Sequence, residues 1–393
     1  MLVINMLLMV ISGCSSLEQR FAEARAAVVD MYPSRKRPGE TYAGFIAMLL
    51  RHSDRLLSIV TACLRKNVQQ CAASHWTVGG RLAFGVDGSK IDAKRTRANE
   101  QTLKIGGKHK SGPQQLLVVL LHVGTGLLWS FKRACATASE RGLLLELLPS
   151  LPEACLLIAD AGFTGHDVIC AILAGKRDLL VRAGANVTLL RKLGLKVKAR
   201  SGWVYLWPVR CQDKEPLILR QILLTDSRNR QMCLLTNLSE NELTQQQACE
   251  LYKRRWDVEL FYRGLKQTLG RRKMHSGSPE NAQVELDWTV CGYWMLGLML
   301  WENRREEVPV MSGIAFALKL LRGLMAGRGD GRCTWQRCWW KLRADCYTRR
   351  SRKAARAWPH KKKDRPCGVP KVRMATPAEV QRAKLVAAKK QAA

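Results

Sequence analysis

Leu251-Tyr252-Lys253-Arg254-Arg255-Trp256-Asp257-Val258-Glu259, running on through Phe261, Arg263, Leu265 and Lys266, says more about function than any other stretch of the chain. On a single helix, at about 100° per residue, Tyr252, Arg255, Glu259, Arg263 and Lys266 gather on one face. Leu251, Val258, Phe261, Leu265 and Leu269 form an adjacent apolar face. The helix is expected to bury the second stripe and present a phenol, a carboxylate and three cations on the first. Taken alone, that polar face reads equally well as a solvated ladder, Glu259 pairing with Arg255 and Arg263 at i,i+4 spacing for about 0.3 kcal/mol each. Carboxylates from distant strands that could meet Glu259 would favour a site over a ladder.

Two upstream segments supply such carboxylates. Asp87 stands in Phe84-Gly85-Val86-Asp87-Gly88-Ser89 and Asp160 in Leu156-Leu157-Ile158-Ala159-Asp160-Ala161-Gly162. Each reads as an apolar strand ending in an acid and a glycine. One such Asp alone is ordinarily a turn residue. Two of them with Glu259 make a set of hard oxygen donors suited to Mg²⁺, which takes its other ligands from water and substrate phosphates. Other acids fit less well: Asp92 is expected past the strand end, Asp167 inside a helix, and Glu250 and Asp257 on the far side of the 251–266 helix.

Around these residues the patterning predicts an α/β protein in several parts. Residues 1–78 read as a helical N-terminal region, with the clearest amphipathic run from Tyr42 to Ile59 after a break marked by Pro33 and Pro38. Residues 79–178 read as a strand, a hairpin turning at Gly124-Thr125-Gly126, a helix opened by Ser139, a short buried strand and another helix. Residues 179–243 change to short β-rich runs, read as an insertion. Residues 244–348 return to helices, beginning at Thr244. Residues 349–393 are basic and interrupted by Pro359, Pro366 and Pro370, and are expected to stay disordered until they meet a polyanion.

The chain has 393 residues, 47% of them hydrophobic, which is ample for a sizeable core, and a formal net charge of +33. Self-repulsion of that size points to a nucleic-acid partner. The 14 cysteines contain no C-x2-C pair, which argues for reduced thiols in a cytoplasmic setting. Cys333, Cys338 and Cys346 with His360 or Cys367 match no usual zinc spacing. The apolar run from Met1 to Ser12 leads into Gly13-Cys14 like a lipoprotein leader but lacks a preceding Lys or Arg, so a buried first helix or a start-site artefact is the preferred reading.

Asp87, Asp160 and Glu259, with Tyr252, Arg255, Glu259 and Lys266 at the spacing Y-x2-R-x3-E-x6-K, resemble the DDE transposases of the insertion-sequence-four family. The resemblance covers roughly Arg81 to Leu300. It implies a ribonuclease-H-like mixed sheet flanked by helices and carrying the β-rich insertion. It also implies two Mg²⁺ ions, replaceable by Mn²⁺, held by Asp87, Asp160 and Glu259, and DNA as partner: the terminal inverted repeats and the target. The implied reaction is cut-and-paste movement through a hairpin, by a homodimer on DNA, in the bacterial nucleoid. Tyr252, Arg255 and Lys266 would grip phosphates, with Tyr252 a binder and not a nucleophile. Trp203 and Trp207 are candidate platforms for a base swung out of the duplex. Lys104, Lys108, His109 and Lys110 read as a basic loop over DNA. The alternatives are a nuclease or resolvase without strand transfer, and a decayed copy that only binds DNA. A tyrosine recombinase lacks its arginine and histidine constellation here. The ladder and the site can also be sequential, Arg255 holding Glu259 until metal and DNA arrive.

Overall fold

The computed structural model describes residues 1–32, 39–106, 112–195, 202–225, 231–302, 314–325 and 368–391. The run of apolar residues before and after Asp87 forms β1 (Ala83–Asp92), which lies antiparallel to β2 (Gln114–His122). β2 turns through Gly126, at φ +68°, into antiparallel β3 (Leu127–Cys135), as the hairpin reading expects. β4 (Leu156–Ala159) returns parallel to β1 on its other side, and β5 (Asp178–Ala183) lies parallel to β4. Parallel neighbours need crossover connections, here α5 (Glu140–Leu147) before β4 and α6 (His166–Ala174) between β4 and β5.

The β-rich run does not form a separate layer. β6 (Thr188–Arg191), β7 (Trp203–Leu206), β8 (Leu217–Thr225) and β9 (Gln231–Thr236) extend the same sheet, because β9 pairs antiparallel with β5. The strand order is β10-β6-β7-β8-β9-β5-β4-β1-β2-β3. The tenth strand corrects the disordered-tail expectation for the residues described: β10 (Lys371–Met374) pairs parallel with β6, and helix Pro377–Gln391 follows it. Val380 seats against Gly194 and Ala383 joins Leu190, Leu193, Tyr205 and Trp207 in a small core, so this part of the tail has apolar surface to bury. Residues 349–367 lie outside the described residues, as does the end of the helical stretch expected up to residue 348, from 326 on.

The N-terminal helices α1 (Leu2–Ile11), α2 (Leu17–Met31) and α3 (Tyr42–Cys71) pack into the main core. They meet the long buried helix α9 (Pro279–Glu302), where Trp288 Nε1 donates to Ser53 Oγ at 3.0 Å and Val10 fills the space over Gly292. The open carbonyls at the end of α1 are satisfied by Arg271, whose Nη2 lies 2.8 Å from Val10 O and 2.9 Å from Ser12 O. Arg322, on α10 (Ile314–Met325), adds a bond from Nε to Ile11 O at 2.8 Å. The apolar N-terminal run is thus a buried helix. No helix among the described residues is long and apolar enough to cross a membrane.

The 251–266 segment is not one continuous helix. Thr244 caps α7 (Gln245–Arg254) with a capping box closed by Gln247, as a Thr-x-x-Gln start dictates. At Arg255 the bonding tightens, Arg255 N reaching Tyr252 O and Val258 N reaching Arg255 O, both at 3.1 Å. α8 (Trp256–Arg263) then runs into a π-helical turn over Gly264–Thr268. Both departures lie within the polar stripe, and π turns of this kind often accompany functional positions.

Candidate functional site

The site forms where the parallel part of the sheet stops. β1 and β4 run side by side to the pair Val86 and Ala159, after which β4 ends while β1 continues to Asp92. Asp87 and Asp160 follow that last pair on adjacent strands, so the step in the sheet brings the two acids together. Asp160 stands just beyond its strand, as expected. Asp87 does not: it lies in mid-strand, opposite Val119 of β2, and Asp92 is the strand's last residue. The turn Ala161–Phe163 after Asp160 is held by Arg141, whose Nε donates to Gly162 O at 2.8 Å.

α8 lies across the face of β1 from which Gly85, Asp87 and Ser89 project. A Cβ on Gly85 would press on Val258, so glycine lets the helix approach the strand. Tyr262 Oη pins the contact, 2.7 Å from Leu117 O and 3.1 Å from Asp87 O. This docking sets the stripe over the acids. Arg255 Nη2 lies 2.9 Å from Glu259 Oε1, and its Nη1 lies 3.6 Å from Asp87 Oδ2. Tyr252 Oη donates to Asp160 Oδ1 at 3.3 Å, and Lys266 Nζ donates to Ser89 Oγ at 2.7 Å. Arg255, Tyr252 and Lys266 thus reach Asp87, Asp160 and their near neighbour Ser89, and Glu259 joins them through Arg255. Arg263 is exposed and keeps its reading as a surface cation. The expected Arg255–Glu259 pair is present, and Arg255 also reaches Asp87. The carboxylates of Asp87, Asp160 and Glu259 do not all close to within 4.8 Å of one another, and the Arg255 guanidinium lies between two of them.

Burial pushes the Asp87 carboxyl up to about 6; the Gly88 amide at 2.8 Å and Arg255 pull it down, and Glu140 and Asp160 push it up. Tyr252 is raised well above the usual phenol range, first by burial and then by Asp160, which keeps it a neutral donor. Burial opposes the Arg255 charge, but Tyr252, Asp160, Glu259 and Asp87 outweigh it and the guanidinium is raised. Lys266 is lowered by burial. An anionic cleft with two captive cations is the result, and it can bind further cations or, once those are present, phosphate.

Three residues escaped the sequence reading. Glu140, at the start of α5, packs its carboxyl on Gly88 and approaches Gly162, so it reaches the step from the opposite face. An acid directly after Ser139 looks only like a helix-start residue, which hid it. Trp256 follows Arg255 and is 56% exposed. An aromatic beside the polar stripe was the available signal. Arg182 on β5 has a buried Nε without a hydrogen-bond partner and lies near enough to Tyr252 to act on its phenol. The expected stacking pair fares differently. Trp207 is core, 3% exposed with Nε1 donating to Lys214 O at 2.7 Å, which corrects that assignment. Trp203 is half-buried on β7, four strands or about 19 Å across the sheet from β4. Lys108, His109 and Lys110 lie outside the described residues, as do Cys333, Cys338, Cys346, His360 and Cys367.

Comparison with known proteins places this cleft in context. The family model described as the transposase DDE domain matches residues 79–295, which include Asp87, Asp160 and Glu259. The transposase InsG for insertion sequence element IS4, from Escherichia coli (strain K12), is 28% identical over 239 residues. That match covers 55% of this chain and 53% of the relative, so the chain spans about half the length of the curated protein it matches. Among solved structures, the cryo-EM structure of the piggyBac transposase synaptic complex with hairpin DNA superposes with a TM-score of 0.40 at 11% identity, covering 90% of this chain and 76% of that one. That likeness is too loose to carry residue roles across.

Proposed function

The chain belongs to the DDE transposases, in the insertion-sequence-four family, and from that premise we propose that it cuts and rejoins DNA at the ends of an insertion sequence. The observation that carries this reading is the meeting at one step of the sheet of Asp87, Asp160 and, through Arg255, Glu259. The half-sheet β3-β2-β1-β4-β5 with its crossover helices is our candidate for the ribonuclease-H-like core. The donor set fits divalent magnesium, or manganese in its place: it is all oxygen, partly buried, and Arg255 now bridges Asp87 and Glu259. Asp87, Asp160 and Glu259 would hold two such ions. Divalent metal bound there would supply activation of the attacking oxygen and charge stabilisation at the leaving oxygen.

The chain's own side chains have separable tasks in this reading. Tyr252 orients the Asp160 carboxylate through its hydroxyl. Arg255 gives up Glu259 and Asp87 when the ions enter and turns its planar fork to a phosphate beside the cut, with Lys266 as a second contact. Trp256, exposed beside Arg255, is the aromatic best placed to stack on an unpaired base. Water then releases a 3′-hydroxyl at the element end, that hydroxyl attacks the opposite strand to form a hairpin, and the reopened end joins target DNA. Two element ends imply a homodimer on DNA in the nucleoid.

Purified protein, Mg²⁺ and a duplex ending in the inverted repeat that flanks the gene provide the test. Wild type should yield a hairpin and then a strand-transfer product, and Glu259→Gln neither. Cleavage by Glu259→Gln at the wild-type rate would remove Glu259 from the site. Cleavage by wild type with no hairpin and no joined product would favour a nuclease or resolvase.

A further inference from the structure

Away from the cleft, α6 and the β7–β8 connection bring together four metal-binding side chains that are scattered in the sequence. His166 and Cys170 sit one turn apart on α6, and Cys170 Sγ is 3.6 Å from His166 Nδ1. Asp167 Oδ1 is 3.9 Å from the same nitrogen. Cys211 ends the short 3-10 turn Val209–Cys211, and the ligand atoms of His166, Asp167 and Cys211 all lie within 4.8 Å of one another. Tetrahedral zinc with bonds of about 2.0 to 2.3 Å holds its ligand atoms roughly 3.3 to 3.8 Å apart, so His166, Asp167 and Cys211 need to close by about 1 Å at most, and Cys170, which meets the set at His166 Nδ1, completes it by turning its thiol inward.

The histidine is oriented as a ligand. Its side chain is 1% exposed, and Nε2 lies 2.8 Å from Glu215 O. A carbonyl can only accept, so the ring's proton is on Nε2 and Nδ1 turns a lone pair toward the thiol of Cys170. A backbone carbonyl on the far ring nitrogen is the usual support for a metal-bound histidine. Lys214 Nζ, 2.8 Å from Asp167 Oδ1, supplies positive charge beside the set.

We propose that His166 Nδ1, Cys170 Sγ, Cys211 Sγ and Asp167 Oδ1 bind one zinc ion, which clasps α6 to the connection between β7 and β8. Binding releases the two thiol protons to solvent. One imidazole, two thiolates and one carboxylate around Zn²⁺ leave a single negative charge for Lys214 to offset. The clasp joins the helix that follows Asp160 to the outer half of the sheet. It is independent of the metal reading of the Asp87 cleft.

Cobalt reports the site directly. The full chain, stripped with a chelator under reducing conditions, should take up one Co²⁺ with thiolate-to-cobalt charge-transfer absorption that zinc abolishes. Asp87→Asn should keep that absorption, and Cys170→Ser with Cys211→Ser should lose it. No such absorption in wild type would overturn the proposal, as would absorption unchanged in the double variant. Because Cys211 is buried and its variant can misfold, alkylation of the wild-type chain gives a second measure. Zinc should slow labelling of half-buried Cys170 and leave exposed Cys63 unaffected. Equal labelling of Cys170 with and without zinc would also overturn the site.

Discussion

Arg255 occupies the space between Asp87 and Glu259, 3.6 Å from one and 2.9 Å from the other, and there competes with any cation the acids would bind. Arg255→Ala should therefore tighten Mn²⁺ binding to the DNA-free protein several-fold while lowering cleavage by about 10²-fold, the scale of losing one placed charge contact. Calorimetry with Mn²⁺ checks the first effect, and weaker binding in the variant would remove the competition argument. Asp287, buried and 2.8 Å from Arg133, is pushed up to about 6 by burial, against an unfolded value of about 3.9. A raised carboxyl favours the protonated fold, so its contribution is complete below about pH 4 and is lost as pH rises through about 6. Asp287→Asn should flatten that fall in urea midpoint between about pH 4 and pH 6; an unchanged slope would assign it to another group.

Among the elements, α8 and its π turn carry the site, and a single glycine sets how closely they lie on α9. A Cβ on Gly264 would land on the Tyr293 hydroxyl. Gly264→Ala should cost about 1 to 3 kcal/mol of stability, the usual scale of overpacking. Tyr293→Phe in the same chain should restore part of it, and denaturant titration of the two variants would show whether it does. Two full and additive losses would mean that the hydroxyl is not the obstacle. β10 and helix Pro377–Gln391 make a different case. Removing residues 368–393 uncovers the β6 edge and the cluster of Leu190, Leu193, Tyr205 and Trp207. An open strand edge beside apolar surface invites association. The truncated chain should bind more of an apolar dye and scatter more light on concentration, and a monodisperse product would refute this.

At the scale of the whole molecule the net charge of +33 dominates. It should give DNA binding that falls about 10³-fold or more between about 50 and 200 mM salt, as expected for six to ten phosphate contacts. Asp87→Asn should show the same salt slope, because the charge is spread over the chain and not lodged in the cleft. A shallow slope in gel-shift titrations would mean that most of the charge faces away from DNA. The same sheet holds the cleft, the candidate zinc clasp and the returning tail, so stability measured at one end is expected to respond to changes at the other.

How much was legible beforehand depended on whether a residue's partners lay within its own element. Tyr252, Arg255, Glu259 and Lys266 were legible because helical period alone puts them on one face, and the strand before Asp160 was legible because an apolar run ended in an acid and a glycine. The break at Arg255 was not, since it follows from how α8 docks on β1. Trp207 and Trp256 look alike as letters; one is buried under the returning helix Pro377–Gln391 and the other is left open. Glu140, Cys211 and the paired strand at Lys371–Met374 gained their surroundings only from segments far away in the chain. The sequence by itself determined the periodicities, the acid set and the charge, because these are local or additive properties. Which acids meet, which aromatics stay exposed and which thiols face a histidine were decided by tertiary structure, because burial and proximity between distant segments exist only once the sheet has closed.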